Sequence, residues 1–185
     1  MGIALADEAV EYGADVELVL GPVDILPHNR SVKIINVSSA KSMTDECKAR
    51  FARCDVAILA AAVADFTPQS VSDKKIKRTD NELIIKLKPT TDISSELGKI
   101  KKKKQLLIGF ALETDNELEN AISKLKRKNL DAIVLNSLNE TGAGFGFDTN
   151  RITIIDKNNI INKFELKSKE EAAKDILNKI ISMMA

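Results

Sequence analysis

The 185-residue sequence is poor in the residues that build disulfide scaffolds, zinc sites and histidine-dependent active sites. It has two cysteines, one histidine, one tyrosine and no tryptophan. Cys47 and Cys54 have no second cysteine pair and no histidine nearby, which excludes a zinc site and a C-x-x-C redox motif. No serine or cysteine elbow surrounds His28, so a histidine-dependent triad is not expected. We expect two buried free thiols, as in a reducing cytoplasm.

Long apolar runs and an excess of one charge are missing as well. No run approaches the roughly 20 apolar residues of a membrane span, and the N-terminus has no basic segment leading into a hydrophobic signal core. The 28 Lys and Arg residues nearly balance the 27 Asp and Glu residues. The sequence therefore predicts a cytoplasmic protein with neither a nucleic acid nor a membrane as partner.

Hydrophobic residues make up 44% of the chain, which is ample for one packed core, and no repeat or linker divides residues 1–185. Apolar runs alternate with segments of helical period, which is typical of α/β proteins. Helices are predicted at residues 2–12, 42–53, 91–103, 115–129 and 169–183. Strands are predicted at residues 15–20, 32–37, 55–66, 82–88, 105–112 and 131–136. We expect one domain with a doubly wound, mostly parallel, Rossmann-like sheet and a C-terminal hairpin about residues 158–159.

Three local features refine this fold prediction. Ser42 and Asp45 form an approximate capping box for the second helix. Residues 55–66 read as a strand buried on both faces, because no polar residue interrupts 56–64. The chain opens in a helix, whereas a doubly wound sheet begins with a central strand and a phosphate-binding turn. We therefore expect that strand and turn to be absent from this chain, with the central position of the sheet left empty.

The predicted carboxyl end of the strand at 55–66 is a candidate ligand site. Asp65 is the first charge after nine apolar positions, and ligands of open α/β sheets bind beyond the carboxyl ends of strands. The small side chains of Ala61, Ala62 and Ala64 would allow a ligand close to the backbone. A strand that ends in an ordinary solvated aspartate explains the pattern equally well.

Two basic clusters have different interpretations. Residues 74–78 carry lysines in a segment with few structural signals, which suits a loop that closes over a phosphorylated substrate. A solvated loop face is the alternative, and composition alone favours it. Residues 101–104 end a predicted helix, where cations interact favourably with the helix dipole, so their role is predicted to be structural.

Lys124 and Lys128 are four residues apart on one predicted helix, and their neighbours on that helix include no acid. Such a like-charge pair is mildly destabilising, which a shared anionic ligand would offset. A chance pairing on a lysine-rich helix remains open. The glycine-rich stretch at residues 142–147 is interpreted as a flexible loop, because a strand rather than a helix follows it and no acid lies suitably downstream for a dinucleotide site.

Short motifs in the same order along nearly the whole chain resemble one family. They are Met1-Gly2 with ALA at 4–6, GADVELVLGP at 13–22, AAVADFTP at 61–68, KIKR at 75–78, LKPTTDI at 87–93, IGFALET at 108–114 and KLKRKNLDAIVLN at 124–136. The chain resembles the phosphopantothenate–cysteine ligase family, the synthetase half of the bifunctional coenzyme A biosynthesis flavoprotein. The resemblance implies that CTP, with Mg²⁺, activates the carboxylate of 4'-phosphopantothenate as an acyl-nucleotide, which the cysteine amine then attacks.

The resemblance also implies roles for individual residues. Lys75 matches the essential loop lysine of the acyl-nucleotide step, and Asn136 is a weaker substrate-binding candidate; the metal ligands remain unknown. The residues matching the nucleotide-binding positions are Gly2, Ala61, Ala62, Asp65, Lys75, Phe110, Lys124 and Lys128. Family members dimerise, and residues 69–88 read as an exposed ribbon that suits a homodimer.

The family's first strand and its N-x-SSG turn have no counterpart here, and neither has its flavin-binding decarboxylase domain. We therefore expect no flavin on this chain, little or no ligase activity from these 185 residues alone, and a fused or separate decarboxylase as a partner. A non-catalytic nucleotide-binding fragment or assembly module remains an alternative. A nicotinamide or flavin oxidoreductase is a further one, although no dinucleotide turn with an acid about 20 residues on is visible.

Overall fold

The computed structural model describes residues 1–78, 82–113, 115–137 and 148–184. The helices are α1 (Gly2–Glu11), α2 (Ala40–Phe51), α3 (Ile93–Ile100), α4 (Glu117–Arg127) and α5 (Lys169–Met184). The strands are β1 (Glu17–Leu20), β2 (Lys33–Asn36), β3 (Val56–Leu59), β4 (Phe66–Pro68), β5 (Leu87–Pro89), β6 (Leu106–Glu113), β7 (Ala132–Ser137), β8 (Thr149–Asn150), β9 (Ile152–Asp156), β10 (Ile161–Lys163) and β11 (Lys167–Ser168).

A five-stranded sheet in the order β10-β9-β7-β6-β3 forms the centre of the molecule. Strands β3, β6 and β7 are parallel, whereas β9 and β10 add an antiparallel hairpin at one side. Helices α2, α3 and α4 pack their apolar residues against one face of the sheet, and α1 and α5 cover the other face. The α/β class and the C-terminal hairpin are confirmed. The sheet is mixed rather than mostly parallel, because the hairpin joins it through β7.

Strands β1 and β2 form a separate parallel pair. Among the described residues, no strand connects this pair with the edge strand β3 of the central sheet. The expected absence of a central strand and its phosphate-binding turn stays a prediction. The complete doubly wound order stays a prediction.

The strand predicted at residues 55–66 is shorter than expected. Strand β3 ends at Leu59, is half-buried rather than buried on both faces, and pairs on one side with β6. The chain then leaves the sheet, because the following alanines are too small to gain much from burial. The ribbon predicted at residues 82–88 is also shorter, since only β5 pairs with β4.

The capping box of α2 lies three residues before the predicted one. Ser39 is the N-cap, its side chain accepts a hydrogen bond from Ser42 N, and the Ser42 side chain accepts one from Ser39 N. Asp45 instead pairs with Lys41 at 2.6 Å. The helix begins where the extended backbone of Ser39 lets its hydroxyl reach the third residue of the helix. Gly13, with φ of +83°, follows the end of α1, where a left-handed backbone favours glycine.

Both cysteines are free thiols, but they are half-buried rather than fully buried. Burial raises the pKa of each thiol, so neither is activated at neutral pH. Within the described part of the chain, no helix is long and apolar enough to cross a membrane, and no three His, Cys, Asp or Glu residues cluster as metal ligands. The cytoplasmic location stays a prediction.

Candidate functional site

The segment at residues 60–65 follows β3 at the carboxyl edge of the central sheet, the edge at which β3, β6 and β7 end. Leu59 of β3 pairs with Gly109 of β6, so this segment leaves the sheet beside the middle of β6. Asp65 and the alanines at 61 and 62 are exposed, whereas Val63 packs on the core. The segment therefore presents its backbone and one carboxylate where open α/β sheets bind ligands.

On one face of the sheet, Gly2 and Phe110 flank this segment. A Cβ at Gly2 would lie 3.6 Å from the Cβ of Ala60, which places the N-terminus of α1 against the start of the segment. Phe110 is half-buried and packs on the cluster beneath α1 and α5, as does Ala60. The structure thus brings Gly2, Phe110 and the segment at 60–65 together.

On the other face, the N-terminus of α3 is tied to the same segment through Thr90. The backbone N–H of Thr90 donates to the carbonyl oxygen of Asp65 at 2.8 Å, and its hydroxyl donates to that of Ala64 at 2.6 Å. Asp92, two residues later, is the N-cap of α3 and accepts a hydrogen bond from Ser95 N at 3.1 Å. The start of α3 is therefore held beside Asp65.

Lys128 reaches this helix start from α4. Its ammonium lies 3.0 Å from Asp92 Oδ2 and donates to Ser94 Oγ at 2.9 Å. Lys124 lies one turn earlier on α4. The positions next to Lys124 and Lys128 on α4 offer no acid, as the sequence indicated, but the inference that Lys128 has no acidic partner was wrong, because Asp92 at the N-cap of α3 supplies the carboxylate.

The hydrogen bonds around Asp92 control its ionisation. Burial alone would raise the pKa of Asp92, but hydrogen bonds from Ser94, Ser95 and Lys128 outweigh burial and hold the pKa well below its usual range. Asp92 is therefore a permanent anion at neutral pH, and the pair with Lys128 is fully charged. Sequence reasoning missed Thr90, Asp92 and Ser94 as site residues, although the Asp-x-Ser-Ser pattern before an apolar helix is a recognisable N-cap signal.

Lys75 lies apart from these groups. It is exposed in the excursion between β4 and β5, of which the structure describes residues 69–78 and 82–86. Within the described residues, no hydrogen bond or ion pair joins Lys75 to another predicted site residue. The structure therefore places Lys75 on a projection that starts at the site, and its approach to the site stays a prediction.

Asn136 lies at the carboxyl end of β7, between Leu112 of β6 and Ile152 of β9. Its Oδ1 atom is buried and has no hydrogen-bond partner among the residues that the structure describes. A buried acceptor without a donor costs about 1–3 kcal/mol, so this atom needs an explanation. A bound ligand with an N–H or O–H group would satisfy it.

The remaining candidates from the sequence are the basic cluster at residues 101–104 and the glycine-rich stretch at residues 142–147. Lys101 and Lys102 are structural, as predicted, because Lys101 pairs with Asp131 at 2.8 Å and Lys102 donates to the carbonyl oxygen of Ala52 at 2.8 Å. The glycine-rich stretch at residues 142–147, predicted to be a flexible loop, lies outside the described residues.

Taken together, the fold and the grouping of these residues define an open α/β domain of the class whose ligands bind beyond the carboxyl ends of the strands. Residues 1–184 match the family described as the DNA/pantothenate metabolism flavoprotein C-terminal domain. The chain belongs to this family, in agreement with the motifs identified in the sequence.

Three relatives illustrate the similarity. The chain is 62% identical over 184 residues to a cysteine/cysteine sulfinic acid decarboxylase from an unknown prokaryotic organism, covering 100% of this chain and 51% of that protein. It is 43% identical over 183 residues to the coenzyme A biosynthesis bifunctional protein CoaBC of Bacillus subtilis (strain 168), covering 99% and 45%. The crystal structure of the C-terminal domain of a CoaBC protein superposes with a TM-score of 0.83 at 37% identity, covering 98% and 81%. The chain thus spans about half the length of these full-length relatives.

Proposed function

We propose that this chain is a phosphopantothenate–cysteine ligase domain of coenzyme A biosynthesis. The reaction joins 4'-phosphopantothenate and cysteine through an amide bond, with CTP as the activating nucleotide. A carboxylate is a poor electrophile until it carries a good leaving group, so the nucleotide first forms an acyl-nucleotide and releases pyrophosphate. The observation that carries this proposal is the family match over residues 1–184, together with the grouped residues at the carboxyl edge.

The proposed site combines residues from both faces of the sheet. Cations lower the barrier for the attack of one anion on another, and Lys75, Lys124 and Lys128 supply them. Phe110 offers an apolar surface beside the segment at 60–65. The proposed nucleotide-binding residues are Gly2, Ala61, Ala62, Asp65, Lys75, Phe110, Lys124 and Lys128.

Asn136 is the proposed substrate-binding residue on β7. Its unpartnered Oδ1 is an acceptor, and the reactants carry N–H and O–H donors. Mg²⁺ is proposed to enter with the triphosphate, because this ion is commonly bound by substrate phosphates, waters and one or two carboxylates. Such binding does not need the cluster of three ligands that the described residues lack, and the exposed carboxylate of Asp65 is the nearest candidate ligand.

A decarboxylase domain is the proposed partner of this chain. The names of two relatives, CoaBC and the cysteine/cysteine sulfinic acid decarboxylase, describe proteins of which this chain matches about half. We propose that flavin chemistry belongs to such a domain rather than to this chain.

The test of the ligase proposal uses the protein as its gene encodes it. Calorimetry with CTP, ATP and NADH is followed by turnover with 4'-phosphopantothenate and cysteine, with pyrophosphate release as the signal. We expect CTP binding and pyrophosphate release that requires 4'-phosphopantothenate. Binding of NADH with no pyrophosphate release would favour an oxidoreductase, and CTP binding without turnover in the complete protein would favour a non-catalytic module. The same measurement on residues 1–185 alone tests the expected loss of activity.

A homodimer is also part of the proposal, since the excursion from β4 to β5 exposes a group of large apolar side chains. The exposed fractions are 60% for Phe66, 86% for Val71, 65% for Leu83, 79% for Ile84 and 60% for Ile85. Several large exposed apolar side chains in one stretch of chain favour an interaction site. We expect Ile84→Glu to shift the protein from dimer to monomer in light scattering, whereas Ile160→Glu on the distant hairpin leaves it unchanged. A wild-type monomer at micromolar concentration would contradict the dimer.

A further inference from the structure

The contact between Lys128 and Asp92 is part of a closed hydrogen-bonded ring. Lys128 donates to Ser94 Oγ at 2.9 Å and lies 3.0 Å from Asp92 Oδ2, while Ser94 Oγ donates to Asp92 Oδ1 at 2.6 Å. Each member thus contacts the two others. The ammonium is held by two acceptors on one helix start rather than by one flexible partner.

The backbone of Lys128 is fixed by a second contact between the same helices. A Cβ at Gly98 of α3 would lie 2.0 Å from the carbonyl oxygen of Lys128, so only glycine allows this approach. Asn129 Nδ2 also donates to the carbonyl oxygen of Gly98 at 2.8 Å. Both ends of the Lys128 side chain are therefore anchored on α3, the backbone near Gly98 and the ammonium near Asp92.

This arrangement allows the Lys128 ammonium to bind an anionic ligand. Only 20% of its side chain is exposed, compared with 86% for Lys41 in the surface pair with Asp45. A lysine ammonium has three donors, and within the described residues two of them are used. The third can bind an anion without breaking the ring. Because the side chain is already ordered, binding costs little further rotamer freedom.

We infer that Asp92 is a positioning residue of the nucleotide site, which holds the Lys128 ammonium in place for the triphosphate without contacting the triphosphate itself. This inference rests on the proposed function, in which Lys128 binds the nucleotide. Asp92 lies two residues after Thr90, whose N–H is bound to the carbonyl oxygen of Asp65, so the held ammonium faces the same edge as the proposed site.

The sign of the effect follows from the exposure of Asp92. Its side chain is 46% exposed and already paired, so solvent and Lys128 screen its repulsion of a bound triphosphate. Removing the charge therefore relieves little repulsion, whereas it frees the Lys128 side chain to sample other rotamers. Loss of position dominates, and nucleotide binding is expected to weaken.

The first test is Asp92→Asn in the protein as its gene encodes it. Asparagine is as good an N-cap as aspartate, so α3 stays folded, which thermal unfolding checks. The Kd of CTP with Mg²⁺ and the KM for CTP are expected to rise about five-fold, as for a modest pairwise coupling, while kcat at saturating CTP is unchanged. A purely structural role of Asp92 would not give this split between KM and kcat.

Two further variants show whether Asp92 acts through Lys128. Glu96→Gln removes the same charge from the same helix, but Glu96 pairs with Lys48 and Lys99, each at 2.6 Å, and its Kd for CTP is expected to stay at the wild-type value. Lys128→Met is expected to raise the Kd on its own. In the Lys128→Met background, Asp92→Asn is then expected to add nothing.

Several results would overturn the inference. They are an unchanged or lower Kd in Asp92→Asn, an unchanged Kd in Lys128→Met, and an equal rise for Asp92→Asn with and without Lys128, which would mean that Asp92 acts independently. A wild-type protein that binds no CTP and releases no pyrophosphate would instead contradict the proposed function itself. The two failures are therefore distinguishable.

Discussion

The two edges of the central sheet differ in how far their charged and polar side chains are paired within the protein. At the amino edge, where β7 begins and β9 ends, Asp131 and Asp156 are 3% and 4% exposed. Asp131 accepts hydrogen bonds from Lys101 Nζ at 2.8 Å, Lys157 Nζ at 3.2 Å and Leu107 N at 2.9 Å. Asp156 is bound by Lys179 Nζ at 2.9 Å and by two backbone N–H groups. This edge satisfies its buried charges internally.

At the carboxyl edge, Asp65 and Asn136 remain available to a ligand. The Asp65 side chain is exposed and, within the described residues, takes part in no hydrogen bond or ion pair, and Asn136 Oδ1 is buried without a donor. Paired, buried charges hold an edge in one conformation, whereas a buried group without a partner costs stability unless a ligand binds it, and an exposed carboxylate is accessible to a ligand. The comparison indicates that the amino edge serves stability and the carboxyl edge serves binding.

The largest effect is expected on the rate of pyrophosphate release when Lys75 is replaced. An unchanged rate would contradict the assignment of binding to the carboxyl edge. Lys75→Gln should lower the rate of pyrophosphate release roughly 100- to 1,000-fold, because a cation that stabilises developing charge is lost. Unfolding should not change, since the side chain is exposed. Lys103→Gln, an equally simple change of an exposed lysine in the turn before β6, is the control and should retain activity. Equal loss in both variants would contradict a specific role for Lys75.

The second-largest effect is a loss of folding stability when Asp131 at the amino edge is replaced. Asp131→Ala leaves the ammonium of Lys101, 11% exposed, without its carboxylate and frees the N–H of Leu107. Removing one partner of a buried pair costs about 3 kcal/mol, which urea unfolding would measure. Lys157→Ala is the matched variant, because its side chain is 57% exposed and its loss should cost less than about 1 kcal/mol. Equal costs for the two variants would contradict the view that burial sets the strength of this network.

The sequence predicted the parts of this contrast that depend on local pattern. The helix periods of α4 and α5, the hairpin of β9 and β10, and the position of Asp65 after an apolar strand are all readable from neighbouring residues. The partners of Lys128 and Asp131 were not, because they come from residues more than 20 positions away in the chain. Hydrogen bonds such as that from Thr90 to Asp65 likewise depend on how β5 returns to the sheet. Tertiary partners decide which charges are structural and which remain for a ligand.

The smallest expected effect is a difference between the two edges in how stability depends on pH. Burial alone would raise the pKa of Asp131, but hydrogen bonds from Lys101 and Leu107 outweigh burial and hold the pKa below its usual value. A carboxyl group with a lowered pKa in the folded protein contributes stability above its unfolded pKa of about 3.9, and this contribution is lost as the pH falls through the folded value. The difference in unfolding free energy between wild type and Asp131→Asn should therefore shrink from pH 7 to pH 2.5, as urea unfolding at both pH values would show. Asp65→Asn at the carboxyl edge is the comparison, and its difference from wild type should be small at both pH values because the side chain is exposed. A difference for Asp131→Asn that stays constant with pH would mean that its charge does not stabilise the amino edge.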